Sequence, residues 1–151
     1  VTRRFDGVLR KDGCRRRDRY TNLSQRETAK REVLAKEFDD ASRGRANELR
    51  ALRAAEQLMA QFDWLRSVRA STLAEDMAGV DLVAETDVGT VELQVKSSFA
   101  GAAEFRRLRP ELKHVRVVVA HEDDAVFRGR MGVALHLARQ ALLSQGANHG
   151  A

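Results

Sequence analysis

The chain has one cysteine and one proline in 151 residues, and only 5% of its residues are aromatic. The single Cys14 allows no internal disulfide, no CxxC pair and no zinc-ligand spacing. The fold must therefore rest on its core, and a reducing, cytoplasmic setting is expected. Apolar runs long enough to span a bilayer are absent, as is a signal-peptide apolar region, so no membrane association is expected. The few aromatics, among them Phe62, Trp64 and Phe105, do not alternate with basic residues as a base-stacking platform would, and read as core. His114, His121 and His149 have no metal-ligand spacing, and His136 reads as a packed or surface residue.

What is present is charge and helix-forming sequence. Charged residues make up 32% of the chain and hydrophobic residues 43%, with 27 basic against 22 acidic side chains and a net charge of +5. Richness in Ala, Leu, Arg and Glu favours a helix-heavy α/β protein, long enough for one domain with a modest core. The basic balance suits a polyanion such as nucleic acid.

Three parts are expected: residues 1–43 as a basic arm with a short helix, 44–144 as an α/β domain, and 145–151 as a loose tail. The arm holds Arg15, Arg16 and Arg17 in an Arg-rich, apolar-poor stretch, suited to phosphate contact or simply solvated. Ser24 and Glu27 have capping-box spacing for a helix to about Phe38, with a break over 39–43. Residues 44–64 read as an amphipathic helix through Leu49, Leu52, Ala55, Met59 and Phe62. Glu48 falls on its apolar face. There it either meets a cation or metal, or pairs with an arginine in a frayed first turn. Then come a short strand (65–71), a polar turn, a hairpin (81–86 and 91–97), a helix (100–108), an apolar strand (114–120) and a helix (127–144).

The hairpin carries the chemistry. Along Val91-Glu92-Leu93-Gln94-Val95-Lys96, the residues Glu92, Gln94 and Lys96 share one face and the three apolar residues the other. Asp81 opens the adjoining strand, and Gly79 lets backbone approach closely before it. Phosphodiester hydrolysis needs hard oxygen ligands for a divalent metal and a cation near the transition state. Asp81 supplies a carboxylate, Gln94 an amide oxygen, Val95 a backbone carbonyl and Glu48 a second carboxylate. Lys96 supplies the cation that orients water. Glu92, Glu75, Asp76 and Ser97 are auxiliary candidates, one of the pair Glu75/Asp76 being better suited to capping the loop into Asp81. Arg106, Arg107, Arg128 and Arg130 lie at helix ends and form, with the arm, a candidate phosphate-tracking surface.

Glu75 to Val83 together with Leu93-Gln94-Val95-Lys96-Ser97-Ser98 resembles the PD-(D/E)xK nuclease superfamily, and more narrowly its small four-way-junction-resolvase-like endonucleases with a QxK element. The resemblance covers about residues 44–142. It implies a restriction-endonuclease-like α/β core, in which a three- to four-stranded mixed sheet is flanked by helices. It also implies Mg²⁺- or Mn²⁺-dependent cleavage of DNA, structured or branched, in repair or recombination. In that scheme Glu48 is the helix-borne acid, Asp81 the metal-binding aspartate, Gln94 the acidic position of the ExK element and Lys96 its lysine. Val80 replaces the proline of the family name, and Gln94 replaces the commoner Glu, removing one negative charge from the metal site. The alternative is a nucleic-acid-binding module that keeps the fold without the chemistry. A homodimer, with the last helix as interface, is expected by analogy.

Overall fold

The computed structural model describes residues 12–147, and the side chains of 12–24 are not among what it describes. The elements are α1 (Asp12–Met59), β1 (Leu65–Ala70), α2 (Leu73–Met77), β2 (Leu82–Thr86), β3 (Gly89–Lys96), α3 (Phe99–Leu108), a 3₁₀ turn at Pro110–Leu112, β4 (Arg116–Val119) and α4 (Asp124–Ala147). The chain divides into two units, with the boundary between Asp40 and Ala41, inside α1.

The expected break over 39–43 does not occur. The stretch holds no proline and no glycine, Asp39 and Arg43 stand in the favourable acid-then-base i,i+4 order, and Gly44 just after it costs only about 1 kcal/mol in a helix. Ser24 and Glu27 consequently lie within α1 rather than at a cap. In the first unit, residues 25–40 are exposed throughout, including Val33, Leu34 and Phe38. Residues 1–11 of the arm and 148–151 of the tail lie outside the described residues. Residues 145–147, expected loose, are the end of α4.

The second unit is a four-stranded mixed sheet in the order β1-β2-β3-β4, antiparallel except for the parallel β3–β4 pair. A parallel neighbour requires a crossover, supplied by α3 and the 3₁₀ turn. Alternation along the strands sends Leu82, Ala84, Val91, Leu93, Val95 and Val118 to one face, where α1 and α4 cover them. Val83 packs on the other face with Val80, Val115 and Leu112. The face that α1 contributes is Ala51, Ala54, Ala55 and Leu58, all nearly solvent-free. Leu49 and Met59, expected in the core, are 49% and 36% exposed. Three alanines and Leu58 face the sheet while Leu49 and Met59 lie off that stripe, so position on the helix rather than side-chain size decides which residues are enclosed. From α4, Phe127, Met131 and Leu135 are fully enclosed, each contributing roughly 1.5–3 kcal/mol by burial.

Helix α1 ends at Met59, short of the expected Trp64, and Phe62 stacks on Trp64 with ring centroids 4.8 Å apart. The polar stretch after β1 is the short helix α2. Thr72 and Glu75 form its capping box, with Glu75 N–H donating to Thr72 Oγ1 and Thr72 N–H donating to a Glu75 carboxylate oxygen.

Candidate functional site

Asp81 sits at the mouth of β2, held there by its own backbone. Its N–H donates to Leu93 O at 2.8 Å, and its carbonyl accepts from Ser71 N–H at 2.9 Å. The approach depends on Gly79, whose φ of +93° lies in the left-handed region. A Cβ there would stand 2.9 Å from Leu112 Cδ1. The tight turn brings Gly79 N–H to Asp76 O and Val80 N–H to Glu75 O, so α2 runs directly into Asp81.

Strand β3 runs on where β2 stops, and the Asp81 side chain takes the place of a strand partner. Its Oδ2 accepts from Val95 N–H and from Gln94 Nε2, both at 2.6 Å. Asp81 and Gln94 are 6% and 7% exposed, among the few buried polar side chains. Both hydrogen bonds go to Oδ2, and no buried side-chain oxygen among the described residues is without a partner, so Oδ1 opens toward solvent. Gln94 Nε2 also lies 3.5 Å from Val95 O, which places that carbonyl in the same corner.

Beside Asp81 is a cleft of about 450 Å³, lined among others by Arg45, Glu48, Ser71, Asp76 and Asp81. Glu48 is half-buried and aligned with Ala51, Ala55 and Leu58 on the packed stripe of α1, so its backbone has no freedom to turn it to bulk water. Burial raises its pKa, the charges of Asp81 and Asp76 raise it further, and Arg45 and Lys96 oppose the rise. Burial likewise raises the pKa of Asp81, against the Val95 N–H and Lys96, with Asp76 adding to the rise. The charges of Asp76, Arg45 and Lys96 therefore bear on Glu48, and those of Asp76 and Lys96 on Asp81. Lys96 places its ammonium 5.0 Å from the centre of the Phe105 ring and has no carboxylate partner among the described residues.

The auxiliary candidates separate. Asp76 belongs to the cleft. Glu75 does not: Arg69 binds it through both guanidinium nitrogens at 2.7 and 2.8 Å, and those bonds, with the Thr72 N–H, bring its pKa down to about 2. Glu92 is drawn away to His114, 2.9 Å distant, one full strand repeat from Gln94. Ser97 accepts from Asn47 Nδ2 at 3.1 Å. Of the arginines, Arg106 and Arg107 are exposed at the last turn of α3. Arg128 donates to Gln57 Oε1 at 2.7 Å, and Arg130 donates to the carbonyls of Val119 and Ala120 at 3.1 Å while lying over Phe99. These two brace the fold, which qualifies their expected place in a phosphate-tracking surface. The side chains of Arg15, Arg16 and Arg17 lie outside what is described.

Three participants escaped the sequence reading. Arg45 lies one helical turn before Glu48, a spacing that could have identified it. Asn47 is 9% exposed and ties α1 to the strand end through Ser97, with no sequence signal beyond its place on the packed side of the helix. Phe105 under Lys96 is a product of the crossover alone.

The donors fit a hard dication. No three His, Cys, Asp or Glu side chains cluster as a ligand group among the described residues. The available set is instead mixed: Asp81 Oδ1, the Val95 carbonyl, the Gln94 amide oxygen after an amide turn, and Glu48 across the cleft. Magnesium is commonly held by one or two carboxylates with water and substrate phosphate completing the shell. Compared with protein-family models, with curated proteins and with solved structures, the chain matches none.

Proposed function

We propose that this chain is a metal-dependent deoxyribonuclease with a PD-(D/E)xK-type site on a restriction-endonuclease-like core. The observation that carries the reading is the convergence of Asp81, Gln94 and the Val95 carbonyl at the end of one hairpin, with Glu48 reaching the same cleft from α1. Asp81, Val95, Gln94 and Glu48 would hold Mg²⁺ or Mn²⁺. The ion, when bound, polarises a phosphoryl oxygen and lowers the pKa of water. Lys96 brings positive charge to the phosphate and orients the attacking water, and Phe105 braces its ammonium. The mutual repulsion of Glu48, Asp76 and Asp81 favours binding of a cation among them. Net positive charge suits a polyanionic substrate.

One observation favours a second reading, a DNA-binding module without turnover. Gln94 turns an amide nitrogen, a donor, onto the carboxylate oxygen that a metal would otherwise share.

The test is cleavage of linear duplex, single-stranded and four-way-junction DNA with Mn²⁺, Mg²⁺ or EDTA. Asp81→Asn and Lys96→Ala are each expected to lower cutting by at least about a hundredfold. Asn retains an acceptor oxygen for the Val95 N–H and the Gln94 amide, so Asp81→Asn is expected to keep the fold, which its thermal midpoint checks. Undiminished cutting by both variants would overturn the site. Salt-sensitive binding by a parent that never cuts would establish the second reading.

A further inference from the structure

A second groove lies away from the cleft, along strand β4. Strand β4, whose apolar run suits an interior position, is instead the edge of the sheet, with a neighbour on one side only among the described residues. Ala120 N–H donates to Lys96 O, so the alternation of a parallel ladder turns the backbone groups of Val118 and Arg116 toward β3 and those of Val117 and Val119 away. Arg130 covers the outward carbonyl of Val119. The N–H and C=O of Val117 and the N–H of Val119 remain as an open edge. Along that edge runs a groove of about 580 Å³ between α3 and α4. Its walls carry large apolar groups in water: Phe99 is 68% exposed, Val133 60% and Leu137 52%. The charged residues lining it are Arg106, Lys113, Arg116 and Arg130, four cations with no acid among them.

We infer that this groove docks an extended, acidic-flanked segment of a partner protein, added to β4 as a fifth strand. Unpaired strand groups give backbone affinity, and a groove beside them selects alternate side chains. The four cations choose the charge of the occupant. A second copy would set Arg116 and Lys113 against their like, a repulsion that disfavours self-pairing through this edge. The chain's own first eleven residues include Arg3, Arg4, Arg10 and Lys11 against one acid, Asp6, and are disfavoured on the same ground. The exposed Phe99, Val133 and Leu137 distinguish the groove from a phosphate track, whose contacts are made by cationic and polar groups. The docking site does not depend on the proposed nuclease chemistry.

A random peptide library displayed on phage and selected against the folded full chain tests this. The expected peptides alternate β-branched or aromatic residues with polar ones and carry Asp or Glu at their ends. As synthetic peptides they should lose about tenfold or more in affinity on Val133→Asp, and again on the charge reversal Arg116→Glu. Both positions are at the surface of the groove, and circular dichroism of each variant reports whether the fold is kept. Val117→Pro removes an outward N–H from an edge strand and should weaken every selected peptide. Absence of enrichment, enrichment without acidic ends, or binding unchanged by the folded variants would overturn the inference. So would displacement of the peptides by duplex DNA, which would make the groove a nucleic-acid surface, or self-association lost on Val133→Asp, which would make it an interface between copies.

Discussion

Gly79 and Asp81 act as a pair. The left-handed φ of Gly79 turns the chain so that Asp81 enters β2 with its carboxylate toward β3. Any side chain at residue 79 meets both that strained backbone and the Leu112 methyl 2.9 Å from its Cβ. Gly79→Ala should therefore destabilise the protein by about 1–3 kcal/mol, read from urea unfolding. Under the proposed activity, cleavage should fall by more than the lost folded fraction, because the carboxylate moves with the turn. Two acids one residue apart part company for a similar local reason. Glu75 is consumed by Arg69 and the Thr72 cap, whereas Asp76, pointing from the next position of α2, contributes its charge to the cleft. Acid–acid adjacency in a sequence does not say which member a cap will take. The cap spacing Thr72-x-x-Glu75 does, and it was there to be read.

At the scale of elements, α2 is five residues long and buries nothing, so its capping box and the Arg69 pair hold it in place. Its stability should follow the charge of Glu75. The folded pKa is lowered to about 2 from an ordinary 4.5, so the stabilisation is complete above pH 4.5 and is lost as pH falls toward 2. An NMR titration of the Glu75 carboxyl should show that lowered midpoint, and Glu75→Gln should remove the acid-range change in the α2 amide signals. A midpoint at the ordinary value would mean the Arg69 contact is not formed in solution. The strands and the two long helices of the second unit were legible from periodicity, since alternate burial leaves a two-residue rhythm in β3 and a helical one in α4. The break expected at 39–43 was not real, because polar composition alone does not stop a helix. The packed face of α1 lies about one residue from the one that Leu49, Leu52, Met59 and Phe62 predict. Leu49 and Met59 weigh more than alanine in a hydrophobic count, but position on the helix decides which residues are enclosed.

For the whole molecule, the boundary at Asp40 and Ala41 separates an exposed helical stretch from the sheet-bearing unit. Deleting residues 1–40 should leave the thermal midpoint of the remaining chain within about 2–4 °C, a change below about 1 kcal/mol. If the basic arm contacts phosphates, the same deletion should flatten the dependence of DNA affinity on salt by close to one unit of slope per lost contact. A collapse of the midpoint would show that the helix before Ala41 supports the core. An unchanged salt slope would show that the arm makes no phosphate contacts.

By itself the sequence determined the alternation that makes the hairpin, the residues Asp81, Gln94 and Lys96 on its polar face, and a glutamate on the packed stripe of α1. Those are local properties, set by periods of two and 3.6 residues and by the chemistry of each side chain. Only the tertiary structure decided which of them meet. Glu48 and Asp81 are brought to one cleft by the packing of α1 on the sheet, and Phe105 to Lys96 by the crossover through α3. Glu92 is taken from the site by His114 on the approach to β4. The open edge of β4 with its basic groove is likewise a consequence of sheet order, because edge and interior strands share one sequence rhythm until the pairing is known. Contacts between residues far apart in the chain depend on closing the fold, and no local period encodes them.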